Sequence, residues 1–340
     1  MDRNNNFDFL RLLLASFVII THSYTLSGEG NSDFLGVFTN SQLQLSKIGV
    51  TGFFVISGYL IYQSMERSSN LINYLWKRFL RLFPALFVAL IFTVLILPFV
   101  YESNIPYIKN KDVWTYIPLN IVLYPQYTIS GVFENNLYPK IINGSLWTIR
   151  YEFLMYIAIA LLFRFRKNRN ITIAIISFVW LLCIMALYIL PQSVLQINFI
   201  FRVKNLLQLG ACFFGGALLS AIGLNSNSKH ILKMFVSLLI IFIVALKYEL
   251  SEYLYYIIVP LLIIFIGLLP LYFIKDISKN IGDLSYGTYL YAFVVQQFIM
   301  CLYNLNHIQL MLFTFIITLF LAYISWHIIE KRFIALKKYV

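Results

Sequence analysis

Apolar runs long enough to cross a bilayer recur along the chain, separated by short polar, glycine- or proline-bearing connections. A spanning helix needs about twenty predominantly apolar residues in a row. That measure predicts spans over 10–26, 47–65, 79–100, 146–164, 171–190, 205–222, 231–247, 253–274, 284–303 and 308–328. The expected fold class is all-α: a polytopic transmembrane helix bundle with about ten spanning helices, read as a single integral membrane domain over residues 1–340. The polar stretch before the first run is too short for the basic region and cleavage site of a signal peptide, so that run is expected to stay as a span. One connection breaks the rule of short links. Residues 101–144 carry Pro106, Pro118, Pro125 and Pro139 among Tyr107, Trp114, Tyr116, Tyr124, Tyr127 and Tyr138. Long loops of this kind are functional or disordered, and aromatic richness argues against disorder. A sugar-facing surface and a membrane-hugging re-entrant segment fit it equally well.

Composition agrees with the pattern. Hydrophobic residues make up 60% and charged residues 12%, against about 25% charged in soluble domains. The net charge of +12 would suit nucleic acid, but its placement does not. Arg67, Lys77, Arg78, Arg81, the cluster Arg164, Arg166, Lys167 and Arg169, then Lys229, Lys233, Lys275, Lys279 and the basic tail all fall on the side of the N-terminus. This is the positive-inside asymmetry, which puts both termini in the cytoplasm and makes membrane lipids, with no nucleic acid, the partners of that charge. Cys183, Cys212 and Cys301 lie far apart within apolar runs. They suggest small apolar packing, with no disulfide framework and no metal site.

Chemistry enters through polar groups that interrupt the apolar runs. Arg11 and His22 sit in the first run, eleven residues or about three turns apart on one helix face, separated by roughly 16 Å. An intramembrane ionisable group is a functional candidate by default. Asp8 precedes Arg11 by three residues and could orient it. Glu152 is carried into the fourth run and needs a partner such as Arg150, Arg11 or His22. The second run holds Gly52, Ser57 and Gly58; close helix packing explains these small residues, and Ser57 lining a cavity with His22 is the functional alternative. Arg78 and Arg81 stand one turn apart, a fork suited to phosphate oxygens or, more plainly, a positive-inside anchor. His327, Glu330, Lys331 and Arg332 read alone as an interfacial salt-bridge cluster. Of four histidines only His22 lies deep in a run. The sequence holds no Gly-x-Ser-x-Gly elbow, His-Glu-x-x-His pair or phosphate-cradling glycine loop.

Six short motifs, in order, resemble the acyltransferase 3 family of bacterial integral membrane acyltransferases. They are Asp8-Phe9-Leu10-Arg11 with His22; Phe53-Phe54-Val55-Ile56-Ser57-Gly58-Tyr59; Lys77-Arg78-x-x-Arg81-x-x-Pro84; Ser145-Leu146-Trp147 with Glu152; Ser285-Tyr286-Gly287-x-Tyr289-Leu290; and Glu330-Lys331-Arg332-Phe333. The resemblance implies O-acyl transfer, most often O-acetyl, from cytoplasmic acetyl-CoA or another acyl-CoA to a hydroxyl of a cell-surface polysaccharide or its undecaprenyl-linked precursor. It places the chain in the bacterial cytoplasmic (inner) membrane. It makes His22, Arg11 and Glu152 catalytic candidates and Arg78 and Arg81 donor-binding ones, with Asp8, Ser57, Trp147, Tyr286 and Glu330 in support and no metal. In that scheme His22 is a general base or carries the acyl group briefly. Many members have a histidine where this chain has Ala292, which rules out here any mechanism using it. Arg332 stands where proline is common. The rival reading is a glycolipid or small-molecule transporter or flippase using the same polar residues as a path, although internal repeats and paired interrupted helices are not evident.

Overall fold

The structure, a computed structural model, describes residues 5–225, 230–269 and 281–338. Lys229, Lys275, Lys279 and the 270–274 end of one expected span lie outside them. The longer elements are α1 (Phe7–Leu26), α2 (Phe34–Phe38), α3 (Leu45–Glu66), α4 (Leu71–Ile96), α5 (Lys111–Ile121), α6 (Trp147–Leu161), α7 (Arg169–Ile189), α8 (Gln192–Leu195), α9 (Val203–Ala221), α10 (Ile231–Lys247), α11 (Ser251–Leu268), α12 (Ser285–Leu302), α13 (His307–Ser325) and α14 (Lys331–Ala335). Among the described residues there is no strand, and the all-α expectation holds. Eight helices there are long and apolar enough to cross a membrane. Two more expected spans coincide with α10 and α12. α10 has only 17 residues, and α12 dilutes its apolar run with Ser285, Tyr286, Gln296 and Gln297.

Contacts divide the chain into two compact units whose segments alternate along the sequence: Met1–Arg11, Val50–Leu75 and Tyr151–Ile277 in the first, Leu12–Gly49, Trp76–Arg150 and Ser278–Val340 in the second. In the first, α9 packs against α7 and α11, and α10 against α11. α3 crosses α9 through two glycines. A Cβ at Gly58 would run into the Phe213 carbonyl, and one at Gly216 into that of Val55. Small residues permit such close approach where lipid supplies no hydrophobic drive. The small-residue stretch thus has a packing role. The free carbonyls at the end of α11 are met by Asn6, whose N–H donates to Gly267 at 2.8 Å and whose Nδ2 donates to Leu269 at 2.5 Å. This answers the unmet acceptors that every helix end leaves.

In the second unit, α12 packs on α13, with Gly287 against Ala322. The connection between α1 and α3 is fixed by Asp33, which is fully buried. Its Oδ1 caps α2 by accepting from the Leu35 and Gly36 N–H groups, each at 3.0 Å. Its Oδ2 accepts from the Leu45 N–H at 2.8 Å and from the Thr21 hydroxyl. A buried carboxylate is tolerable only when saturated with donors in this way. The turn of α1 next to His22 is thereby tied to the start of α3.

Candidate functional site

His22 lies in the second unit, four residues from the end of α1. Its ring meets Phe293 of α12 edge to face, centroids 5.1 Å apart and planes at 83°. Its Nδ1 is enclosed without a hydrogen-bond partner among the described residues, while the residue as a whole keeps part of its surface accessible. Two glutamines of α12, both fully buried, organise the surroundings. Gln296 Nε2 donates to the Ile19 carbonyl at 3.0 Å and to Ser23 Oγ at 2.9 Å, gripping α1 on either side of His22. Gln297 turns the other way. Its Nε2 donates to the Tyr138 and Ile141 carbonyls at 2.8 and 2.7 Å, and its Oε1 accepts from Asn136 Nδ2 at 2.8 Å. A Cβ on Gly144 would come within 2.7 Å of Phe293 Cε2, and the Tyr138 ring lies 6.4 Å from that of Phe293. Phe293 therefore stands between His22 and the 101–144 segment.

That segment is ordered. Asp112 accepts from the Ser130 hydroxyl at 2.7 Å and N–H at 3.0 Å, and the hydroxyl above all holds its carboxyl below the usual range. Asn143 is buried, with Nδ2 donating to the Leu290 carbonyl at 2.9 Å. Trp114 and Tyr124 remain well exposed.

The Arg78–Arg81 pair sits in the second unit near the start of α4, and both side chains are half-buried. Arg81 Nη2 donates to Asp283 Oδ2 at 2.6 Å, and its Nη1 lies 3.9 Å from Glu330 Oε2. The Ser285 hydroxyl donates to Asp283 Oδ1 at 2.6 Å, and the Ser325 hydroxyl to Glu330 Oε1 at 3.1 Å. Tyr286 donates to the Leu82 carbonyl at 3.1 Å, its ring 5.8 Å from the Arg81 guanidinium. Glu330 thus faces Arg81 as its cation, which the expected local cluster with His327, Lys331 and Arg332 did not include. His327 instead faces Tyr323 and the Ile281 carbonyl. Glu330 closes a π-helical turn, Trp326–Glu330, a rare irregularity frequent at functional sites. The helix then runs on through Arg332, where a proline would have ended it.

Asp8, Arg11, Ser57 and Glu152 belong to the first unit. Asp8, Arg11 and Glu152 are half-buried and Ser57 is buried. Glu152 accepts from the Tyr156 hydroxyl one turn along α6, a partner the sequence did not suggest. Trp147, half-buried, opens α6 in the second unit. Sequence reasoning missed Asp33, Asp283, Phe293 and Gln296. Only the consecutive glutamines in an apolar run could have signalled any of them.

The family described as an acyltransferase domain matches residues 4–329. Over 98% of this chain and 97% of the relative, the sequence is 32% identical to an O-acetyl transferase of Shigella phage Sf6. Over 46% of this chain and 44% of the relative, it is 32% identical to Nodulation protein 10 of Rhizobium leguminosarum bv. viciae. No solved structure matches it significantly.

Proposed function

The chain belongs to the acyltransferase family matched over residues 4–329, and from that premise we propose that it moves an acetyl group from cytoplasmic acetyl-CoA to a hydroxyl of a surface polysaccharide or its undecaprenyl-linked precursor. It is a multi-pass membrane enzyme that transfers acyl groups; the bacterial inner membrane is the compartment this reaction requires. The observation that carries the reading is His22, an enclosed imidazole packed edge to face on Phe293 of α12, in a chain similar from end to end to an O-acetyl transferase.

In the proposed step His22 Nε2 takes the proton of the acceptor hydroxyl as the oxygen attacks the thioester carbonyl. The C–O bond forms, the C–S bond breaks, and the imidazolium returns the proton to the leaving thiolate. The base must be uncharged to begin. Arg11, with Asp8 and Glu152 among the acidic groups of its own unit, is assigned to steer the pantetheine arm. Donor phosphates are assigned to Arg78 by its place in the paired-arginine motif, Lys77-Arg78-x-x-Arg81-x-x-Pro84. Arg81 faces two carboxylates, Asp283 and Glu330, so it serves better to hold α4, α12 and the π-turn together than as an open anion site. A guanidinium meets phosphate oxygens by charge-assisted, often bidentate, bonds, which is the chemistry the reading asks of Arg78.

The test is transfer from radiolabelled acetyl-CoA to isolated lipid-linked glycan by the protein in liposomes. Arg78→Ala should raise KM for acetyl-CoA about tenfold or more, the loss of one charge-assisted bond, with the protein still folded. An unchanged KM would remove the donor role. Glycan labelling that does not depend on the protein would remove the reaction.

A further inference from the structure

His22 has one atom left over, and so does a neighbour. Gln296 is fully buried, and its amide is oriented by what it touches. The Ile19 carbonyl can only accept, and the Ser23 hydroxyl already donates to that same carbonyl at 2.9 Å. The nitrogen of the amide must therefore be the atom facing Ile19 and Ser23. Its oxygen, Oε1, is enclosed with no hydrogen-bond partner among the described residues, and the same holds for His22 Nδ1. Residues 19, 22 and 23 share one face of α1, and Phe293, one turn before Gln296 on α12, touches the imidazole. A buried acceptor and a ring nitrogen able to donate are thus left unmet at a single helix contact. An unsatisfied buried polar atom costs about 1–3 kcal/mol, and two such atoms of opposite role are each other's remedy.

We propose that Gln296 is the positioning residue of the acyl-transfer base: its Oε1 accepts from His22 Nδ1–H, directly or across one water, and so keeps the lone pair on Nε2. A neutral imidazole has two tautomers, and the hydrogen bond at one nitrogen decides which is present. A neutral amide in this place fixes the tautomer without adding a charge inside the membrane. The inference rests on the proposed base role and names what orients that base.

The tautomer is read from ring 15N and 13C shifts, with the His22 signals assigned by their loss in His22→Gln. In the unmodified protein Nδ1–H should dominate; a dominant Nε2–H form would overturn the proposal without any variant. Gln296→Met removes both the amide donor and the acceptor, whereas Gln296→Glu removes only the donor. The Met variant should lose the tautomer preference and about tenfold in kcat, equivalent to one hydrogen bond, with KM for acetyl-CoA unchanged. The Glu variant should keep Nδ1–H and most of kcat. Equal losses in both would show a purely structural grip on α1 and overturn the assignment. The tautomer is measured without turnover, so it is judged even where His22→Ala still transfers acyl groups, a result that counts against the base role alone.

Discussion

At the scale of single residues, the polar groups of this enzyme are explained by where their hydrogen bonds go. Arg81 was legible as half of a phosphate fork, but its 2.6 Å bond to Asp283 gives it work of another kind. Replacing Asp283 by asparagine removes the charge from that bond and leaves Glu330, 3.9 Å away, as the facing carboxylate. The expected cost is about 1–3 kcal/mol, read as a lower melting temperature of the detergent-solubilised protein. Asp283→Glu should recover part of it. Asp33 makes a parallel case, since Asp33→Ala strips acceptors from Leu35, Gly36, Leu45 and Thr21 together. The loss of a cap alone costs about 0.5–2 kcal/mol, so the same melting assay should show a larger drop. An unshifted transition in either variant would contradict the roles given to them.

Between elements, stability depends on how closely helices approach and how their ends are tied. The crossing of α3 on α9 has no room for a side chain at Gly58 or Gly216. Gly216→Leu should force the backbones apart at about 1–3 kcal/mol for overpacking, visible as earlier thermal aggregation. At the far end of α1, Glu29 accepts from the His307 N–H at 2.8 Å and pairs with its ring, on which Tyr24 stacks at 4.1 Å. The backbone bond, followed by the ring, holds the Glu29 carboxyl below its ordinary value. A lowered carboxyl stabilises above its unfolded pKa and loses that contribution as pH falls through the folded value. Protection from hydrogen exchange at the start of α13 should therefore hold in full at neutral pH, where the Glu29 tie is intact, and fall only in acid below the usual carboxylate range. Quickening already near neutrality would assign the tie to another group.

For the whole molecule, hydropathy alone made the helical architecture readable, because a chain in lipid must satisfy its backbone within each span. The ambiguous spans were those in which function or length weakens the signal: α10 is short, and α12 spends apolar positions on Gln296 and Gln297. The partners of the site were not readable. Arg81 and Asp283 are 202 residues apart and Gln296 and Ile19 are 277 apart, and no local spacing encodes such pairings. Glu152 looked in want of a cation and found the Tyr156 hydroxyl one turn away. The histidine and the arginine pair were visible as residue types, their orienting groups only after folding. The most direct test is mass spectrometry and NMR of the surface glycan from a deletion strain complemented with either the unmodified gene or His22→Ala. Restoration of O-acetyl groups by the first and their loss with the second, at equal membrane protein levels, is the outcome this account predicts. Full O-acetylation by the His22→Ala protein would contradict it.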